Sequence, residues 1–246
     1  MSRIGEAFRN TPPVTKNLIV ANVAIWLLSL TIASISPIKI YQLLGLHPLS
    51  SPYFFPWQIV THMFMHDMSR IFHILFNMWA LWMFGRMLES VWGSRRFLIF
   101  YLVTGLGAAA FHLLVNYIQF APEIAQMKAA GGGRISTDIV NYVFEGDTQR
   151  MIACKRSLIT PTVGASGAVY GVLLGFGMLF PNTQLFIIPF PFPIKAKWLV
   201  IGVGVIEIVT GITGSSDGIA HFAHLGGMIF GFILIKYWNR FTRNFY

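Results

Sequence analysis

The chain has 246 residues, of which 55% are hydrophobic and only 11% charged, with a mean hydropathy of +0.62. A soluble domain carries about 25% charged residues, so this composition lacks the polar material to cover a water-facing surface and points to a membrane protein. The formal charge of +9 does not mark a nucleic-acid binder, because the Lys and Arg fall in short clusters between apolar runs, as topology signals do. A single cysteine, Cys154, excludes an intramolecular disulfide and a cysteine-rich zinc site.

Taken in order, residues 1–17 form a polar segment with Arg3, Arg9 and Lys16, read as cytoplasmic. Leu18–Ile35 is long enough to span and exceeds a usual signal core, so it is expected to be a retained first helix. Ser36–Ile71 holds Pro37, Pro48, Pro52 and Pro56 among aromatic residues and is expected to be a broken lip at the interface, not one long helix. Phe72–Trp92 and Phe97–Ile118 are clear spans. Gln119–Thr162, with Gly131–Gly133, reads as a long outer loop, of the kind that is usually functional or disordered. Val163–Phe180, Trp198–Ile212 and Gly218–Tyr237 complete six spans; the first and last of these three are Gly-rich, as in tightly packed bundles. Pro181–Pro193 is a Pro-broken connector, and 242–246 a short tail. The expected fold is an all-α polytopic bundle of six helices over 18–241, with both termini cytoplasmic by the bias of Lys and Arg in short loops.

Polar side chains at membrane depth need a reason, since a central charge costs about 2.5–3.5 kcal/mol on insertion scales. His73 and Asn77, spaced i, i+4, share a helix face. They can steady a developing negative charge or clamp two helices together. Ser166 lies in Gly164-Ala165-Ser166-Gly167, where small neighbours leave the hydroxyl uncovered and a helix start offers free N–H groups. Alone, such a string is more often a packing motif. His224 lies in Ala223-His224-Leu225-Gly226-Gly227, with Gly231 one turn on. That stripe is expected to pack on the Gly167/Gly171 face, which would let His224 reach Ser166 as a general base. Tyr170, one turn below Ser166, can stack on the imidazole, although a packed aromatic is the simpler reading. The rival is a metal site built from His73, His112, His221 and His224. Against it, Glu89 and Glu207 are the only acids in the spans and sit near helix ends, and no HExxH pair occurs.

His73-xxx-Asn77 followed by Gly85-xxx-Glu89, then GASG with Tyr170, then AHLGG with Gly231, on three helices in this order, resembles the rhomboid intramembrane serine proteases over roughly 56–241, the long loop excepted. The resemblance implies a Ser166–His224 dyad with no third acid, in a hydrated cavity open to the outer side. It implies an oxyanion hole from the Ser166 N–H, His73 and Asn77, and close helix contacts through Gly164, Gly167, Gly227 and Gly231. Glu89 is expected to tie span two to the first outer loop, and His221 to be a packed or water-bonded histidine. Substrates would be transmembrane protein segments with helix-weakening residues, entering sideways near span five. No metal or organic cofactor and no nucleic acid is expected; the partners are these substrates and the lipid bilayer, in the bacterial cytoplasmic membrane. Where many members carry Trp-Arg, this chain reads Trp57-Gln58. A non-catalytic relative that binds membrane clients is the alternative, and a histidine-based metal transporter a weaker one, since no inverted repeat is present.

Overall fold

The computed structural model describes residues 6, 8–35, 39–186, 192–213 and 218–241. Residues 1–5, Pro37, the middle of the Pro181–Pro193 connector and the tail 242–246 lie outside the described residues. Within them, five helices are long and apolar enough to cross a membrane: α1 (Pro13–Ile35), α4 (Ile71–Trp92), α5 (Ser94–Gln119), α10 (Ala196–Thr213) and the last, α11 (Gly218–Phe241). Between α1 and α4 the chain is broken into the short helices α2 (Ile40–Leu44) and α3 (Gln58–Thr61) and one tight turn at His62–Phe64, as its prolines require. Helix α4 widens to an i→i+5 pattern over Leu81–Gly85.

The sixth apolar helix, α9 (Ser166–Leu179), has only 14 residues. At 1.5 Å per residue it is about 21 Å long, short of the roughly 30 Å hydrocarbon core. The deficit falls at its N-terminal end, where Ala165 is fully buried and the preceding chain is not helical. That non-helical backbone is tolerated because its hydrogen bonds are met inside the protein: the Gly164 N–H donates to the His62 carbonyl at 3.0 Å, and Leu46 and Thr162 exchange bonds of 2.8–2.9 Å. The connector from α9 to α10 is a small hairpin, β1 (Gln184–Leu185) pairing antiparallel with β2 (Ile194–Lys195).

Helices α9 and α11 pack with α5 at the centre of the bundle, and α10 lies outside, mainly on α11. Leu81, Leu88, Phe97, Phe100, Tyr101, Val172 and Phe176 form the fully buried heart of the apolar core. Glu89, also buried, does not reach the first outer loop. Its carboxylate accepts from the N–H groups of Val14 and Thr15 at 2.9 and 2.7 Å and from the hydroxyls of Thr15 and Ser94, both at 2.7 Å. An anion at the start of α1 meets free N–H groups and the positive end of the helix dipole, so Glu89 fastens α4 to that end of α1.

The long segment after α5 is folded. It forms α6 (Ala121–Ala130), α7 (Thr137–Asn141) and α8 (Gln149–Ile159), the last two started by Ser136 and Thr148, whose side chains accept from Ile139 and Met151 N–H groups. Phe120, Ile124, Met127, Val140, Met151, Cys154 and Leu158 give this cap a core of its own. Lys155 is buried against Asp147 at 2.6 Å, and Arg150 pairs with Glu123 at 2.7 Å. Burial pushes the Cys154 thiol up to about 12, which leaves it protonated and unreactive at neutral pH.

The cap rests on the segment between α1 and α4. The Leu158 carbonyl faces His47 Nδ1 at 3.0 Å and accepts from Ser51 Oγ at 2.6 Å, and Asn141 donates to the Tyr53 hydroxyl at 2.8 Å. Gln58, in the place where many members of the resembled family carry Arg, is fully buried. It accepts from the His47 N–H at 3.2 Å and donates to the carbonyls of Gln42 and Tyr53, both at 2.9 Å. One amide thereby closes the loop that faces the cap. Gln58→Ala, by leaving buried backbone groups unpaired at about 1–3 kcal/mol, is expected to speed hydrogen exchange across 42–60 while leaving α5 and α9 protected, as mass spectrometry of the purified protein would report.

Candidate active site

Ser166 opens α9, so the first N–H groups of that helix, its own included, have no partner within the helix. The residue two before it, Gly164, has φ +135°, a conformation that L side chains rarely adopt. A Cβ there would also stand 3.1 Å from the His73 ring and 3.4 Å from Ser166 Oγ. The glycine is thus what lets His73 and Ser166 share one space.

His73 is fixed by its other nitrogen. Nδ1 receives the Asp67 N–H at 3.3 Å, which makes it an acceptor and leaves the proton on Nε2. That N–H borders Gly164. Asn77, one turn along α4, donates from its side-chain amide to the His73 carbonyl at 2.8 Å; its second amide hydrogen is not used in that bond.

From α11, His224 brings Nε2 to 2.9 Å from Ser166 Oγ. The Tyr170 ring stacks on the imidazole with centroids 4.1 Å apart and planes 6° from parallel. The distance between serine and histidine is set by backbone contact. A Cβ on Gly227 would overlap the Gly167 carbonyl, and one on Gly231 would reach Gly171 Cα at 3.5 Å. On its other side, α9 meets α5, where a Cβ on Gly167 would stand 2.5 Å from Ala108 Cβ and one on Gly171 2.6 Å from Thr104 Cβ. The glycine stripe of α11 therefore seats on Gly167 and Gly171, and α5 closes the third side.

The imidazole's second nitrogen also has a partner. Glu207 Oε2 lies 3.1 Å from His224 Nδ1 and 2.6 Å from His221 Nδ1. An acid does stand behind His224, where none was expected, and His221, read as a packed or water-bonded histidine, is bonded to the same acid. Glu207 sits in the second half of α10, not at its end, and is buried. Its signal in the sequence was plain, a lone carboxylate in an otherwise apolar run, and belonged to the same reasoning that singled out the histidines.

The four histidines His73, His112, His221 and His224 are not gathered at one point. His112 Nε2 is bonded with Thr162 Oγ1 at 3.0 Å, and His73 is held by Asp67. Among the described residues one group has three ligand atoms close together, Glu207, His221 and His224. Its donor atoms are already paired at hydrogen-bond lengths, with both Nδ1 atoms on one carboxylate oxygen.

Residues 55–240 match the family model for the rhomboid domain. The chain belongs to the rhomboid family. It is an integral membrane protein with several spans. It is 26% identical over 173 residues to Rhomboid protein 1, mitochondrial, of Saccharomyces cerevisiae, covering 70% of this chain and 39% of that protein. It is 24% identical over 181 residues to Rhomboid protease AarA of Providencia stuartii, covering 72% and 54%. With Rhomboid protease GluP of Bacillus subtilis the identity is 26% over 180 residues, covering 72% and 25%. The matched region thus spans about half or less of the length of these rhomboid relatives.

In this rhomboid bundle the Gly227–Gly167 contact leaves no room for a methyl group. Gly227→Ala is expected to cost about 1–3 kcal/mol or more through overpacking and to lower the melting temperature in detergent. Gly202→Ala, on α10 with open space around it, should melt like the wild type.

Proposed function

We propose that this chain is an intramembrane serine endopeptidase that hydrolyses peptide bonds in or near transmembrane segments of other proteins. The observation that carries the reading is the 2.9 Å approach of His224 Nε2 to Ser166 Oγ at the unpaired start of a buried helix, in a chain of the rhomboid family. The names of the Providencia and Bacillus relatives, both called rhomboid proteases, support it.

In this mechanism Ser166 Oγ attacks the scissile carbonyl carbon while its proton passes to His224 Nε2. The new oxyanion is met by the Ser166 N–H, by the Nε2–H of His73 and by the Asn77 amide, donors that are in place before charge develops. The C–N bond then breaks, and the proton on Nε2 goes to the leaving amine. Water, activated by the same imidazole, releases the acyl group and regenerates the serine. Peptide hydrolysis in a bilayer needs a substrate whose helix opens easily, because an extended backbone has unsatisfied hydrogen bonds in lipid. Transmembrane segments with Gly or Pro near the cut are therefore the proposed substrates. Entry is proposed beside α10, whose outward face (Ile201, Val205, Ile208, Ile212) is exposed.

The clusters of Lys and Arg support a cytoplasmic position for both termini, and the proposed setting is the bacterial cytoplasmic membrane, in keeping with the Providencia and Bacillus relatives. The proposed unit is one rhomboid domain over 18–241, flanked by a short polar segment and tail, working without metal or organic cofactor.

The test is cleavage of a model transmembrane substrate in liposomes. Wild type is expected to cut, with Ser166→Ala and His224→Ala silent yet folded. His73→Ala, which removes one oxyanion donor, is expected to lose about 10²–10³ in kcat with little change in KM. Equal cleavage by wild type and Ser166→Ala would overturn the serine mechanism. A folded wild type that binds membrane clients but cuts none would make the chain a non-catalytic client binder.

A further inference from the structure

We infer that Glu207 is a positioning residue for this chemistry, the acid that orients His224 in a Glu207–His224–Ser166 relay. The inference rests on the serine-protease reading above and deepens it, since the resemblance to the family implied a histidine working without a third group.

The buried residues of α10 are Ala196, Val200 and Glu207. A helix with so small an inward face places a carboxylate on it, and a buried carboxylate stands only where donors meet it. Its partners are the His224 and His221 rings from α11. The contacts then run in series: Glu207 Oε2, 3.1 Å to His224 Nδ1, and His224 Nε2, 2.9 Å to Ser166 Oγ.

A neutral imidazole carries one proton, and which nitrogen holds it decides whether the ring is a base toward Ser166. An ionised carboxylate can only accept, so beside Nδ1 it selects the form with the proton on Nδ1. The lone pair is then on Nε2, aimed at the serine hydroxyl. In the other form an N–H would point at Ser166 and no base would be present. When Nε2 takes the serine proton, the same carboxylate stabilises the cation that forms, while the Nδ1 proton stays on the ring. Tyr170 fixes the plane of the imidazole from one face, while Glu207 holds its Nδ1 edge.

The plain alternative is a latch. Glu207 lies nearer to His221 than to His224, and could serve only to hold α10 to α11. The two roles separate by experiment. His224 is faced by Glu207 from α10, by Ser166 and Tyr170 from α9 and by His221 on its own helix; His221 can be removed without touching the Glu207–His224 bond.

The experiment measures kcat and KM on a model transmembrane substrate for wild type, Glu207→Gln, Glu207→Asp, His221→Ala and Ser166→Ala, with melting temperatures for each. Glu207→Gln keeps the shape and loses the charge. It is expected to lower kcat at least about tenfold with KM and melting temperature near wild type. Glu207→Asp is expected to restore part of kcat, and His221→Ala to stay well above Glu207→Gln. A wild-type kcat in Glu207→Gln, with Ser166→Ala silent, overturns the inference and leaves the serine mechanism standing. So does an equal loss in His221→Ala and Glu207→Gln that follows the melting temperature. A second readout needs no turnover. With nitrogen-15 in the histidines, the signal of neutral His224 in the wild-type protein, assigned by its loss in His224→Ala, is expected to be that of the Nδ1–H form. The Nε2–H form would overturn the inference even if the protein cleaves nothing.

Discussion

The close contact between α9 and α11 is the constraint on which the rest depends. Gly227 lies against the Gly167 carbonyl with no space for a side chain, and Gly231 lies near Gly171. Within hydrocarbon there is no hydrophobic force to bring helices together, so dispersion between backbones and the few polar bonds across them must do so. Because the contact is backbone on backbone, its separation is not adjustable by rotamers. Ser166 precedes the first of these glycines on α9, and His224 precedes its partner on α11. The distance between oxygen and nitrogen is therefore a property of the packing, and the two side chains inherit it.

Much of this was legible in the sequence because the relevant residues stand out from an apolar background. Gly167, Gly171, Gly227 and Gly231 recur at one-turn spacing, which marks a contact face, and the structure joins them. Ser166 and His224 adjoin those glycines, and so were drawn to one place by the same pattern. The outline of six apolar segments was equally open, although Val163–Phe180 contributes only a 14-residue helix. That shortening is invisible to hydropathy, since Val163, Gly164 and Ala165 are as apolar as the helix after them; it depends on the positive-φ backbone at Gly164 and on its hydrogen bond to His62.

What the sequence hid is of two kinds. The segment 119–162 reads as loop because Gly131–Gly133 and scattered charges dominate it. Its order comes from long-range partners: Leu158 against His47 and Ser51, and Tyr53 under Asn141. No local pattern reports such contacts. Glu89 and Glu207 are hidden differently, since each was visible as a lone acid but not its direction. Glu89 turns to the start of α1, where helix N–H groups await an anion. Glu207 turns inward from an outer helix to two histidines on the next.

If Ser166 and His224 act as proposed and substrates enter beside α10, the position of Glu207 ties access to chemistry. Helix α10 is the outermost of the group that holds the serine and histidine, and its lipid-facing residues are apolar and exposed. If it swings aside as a whole to admit a guest helix, it takes the carboxylate away from the imidazole during that motion. An open door is then also a disarmed blade. A peptide could be cut only after α10 had come back, or if the guest slipped past the far turns of α10 while the turn bearing Glu207 held still. Lipid and water that wander in through an open gate would meet a histidine free to flip into its unreactive form, so that opening carries its own safety catch.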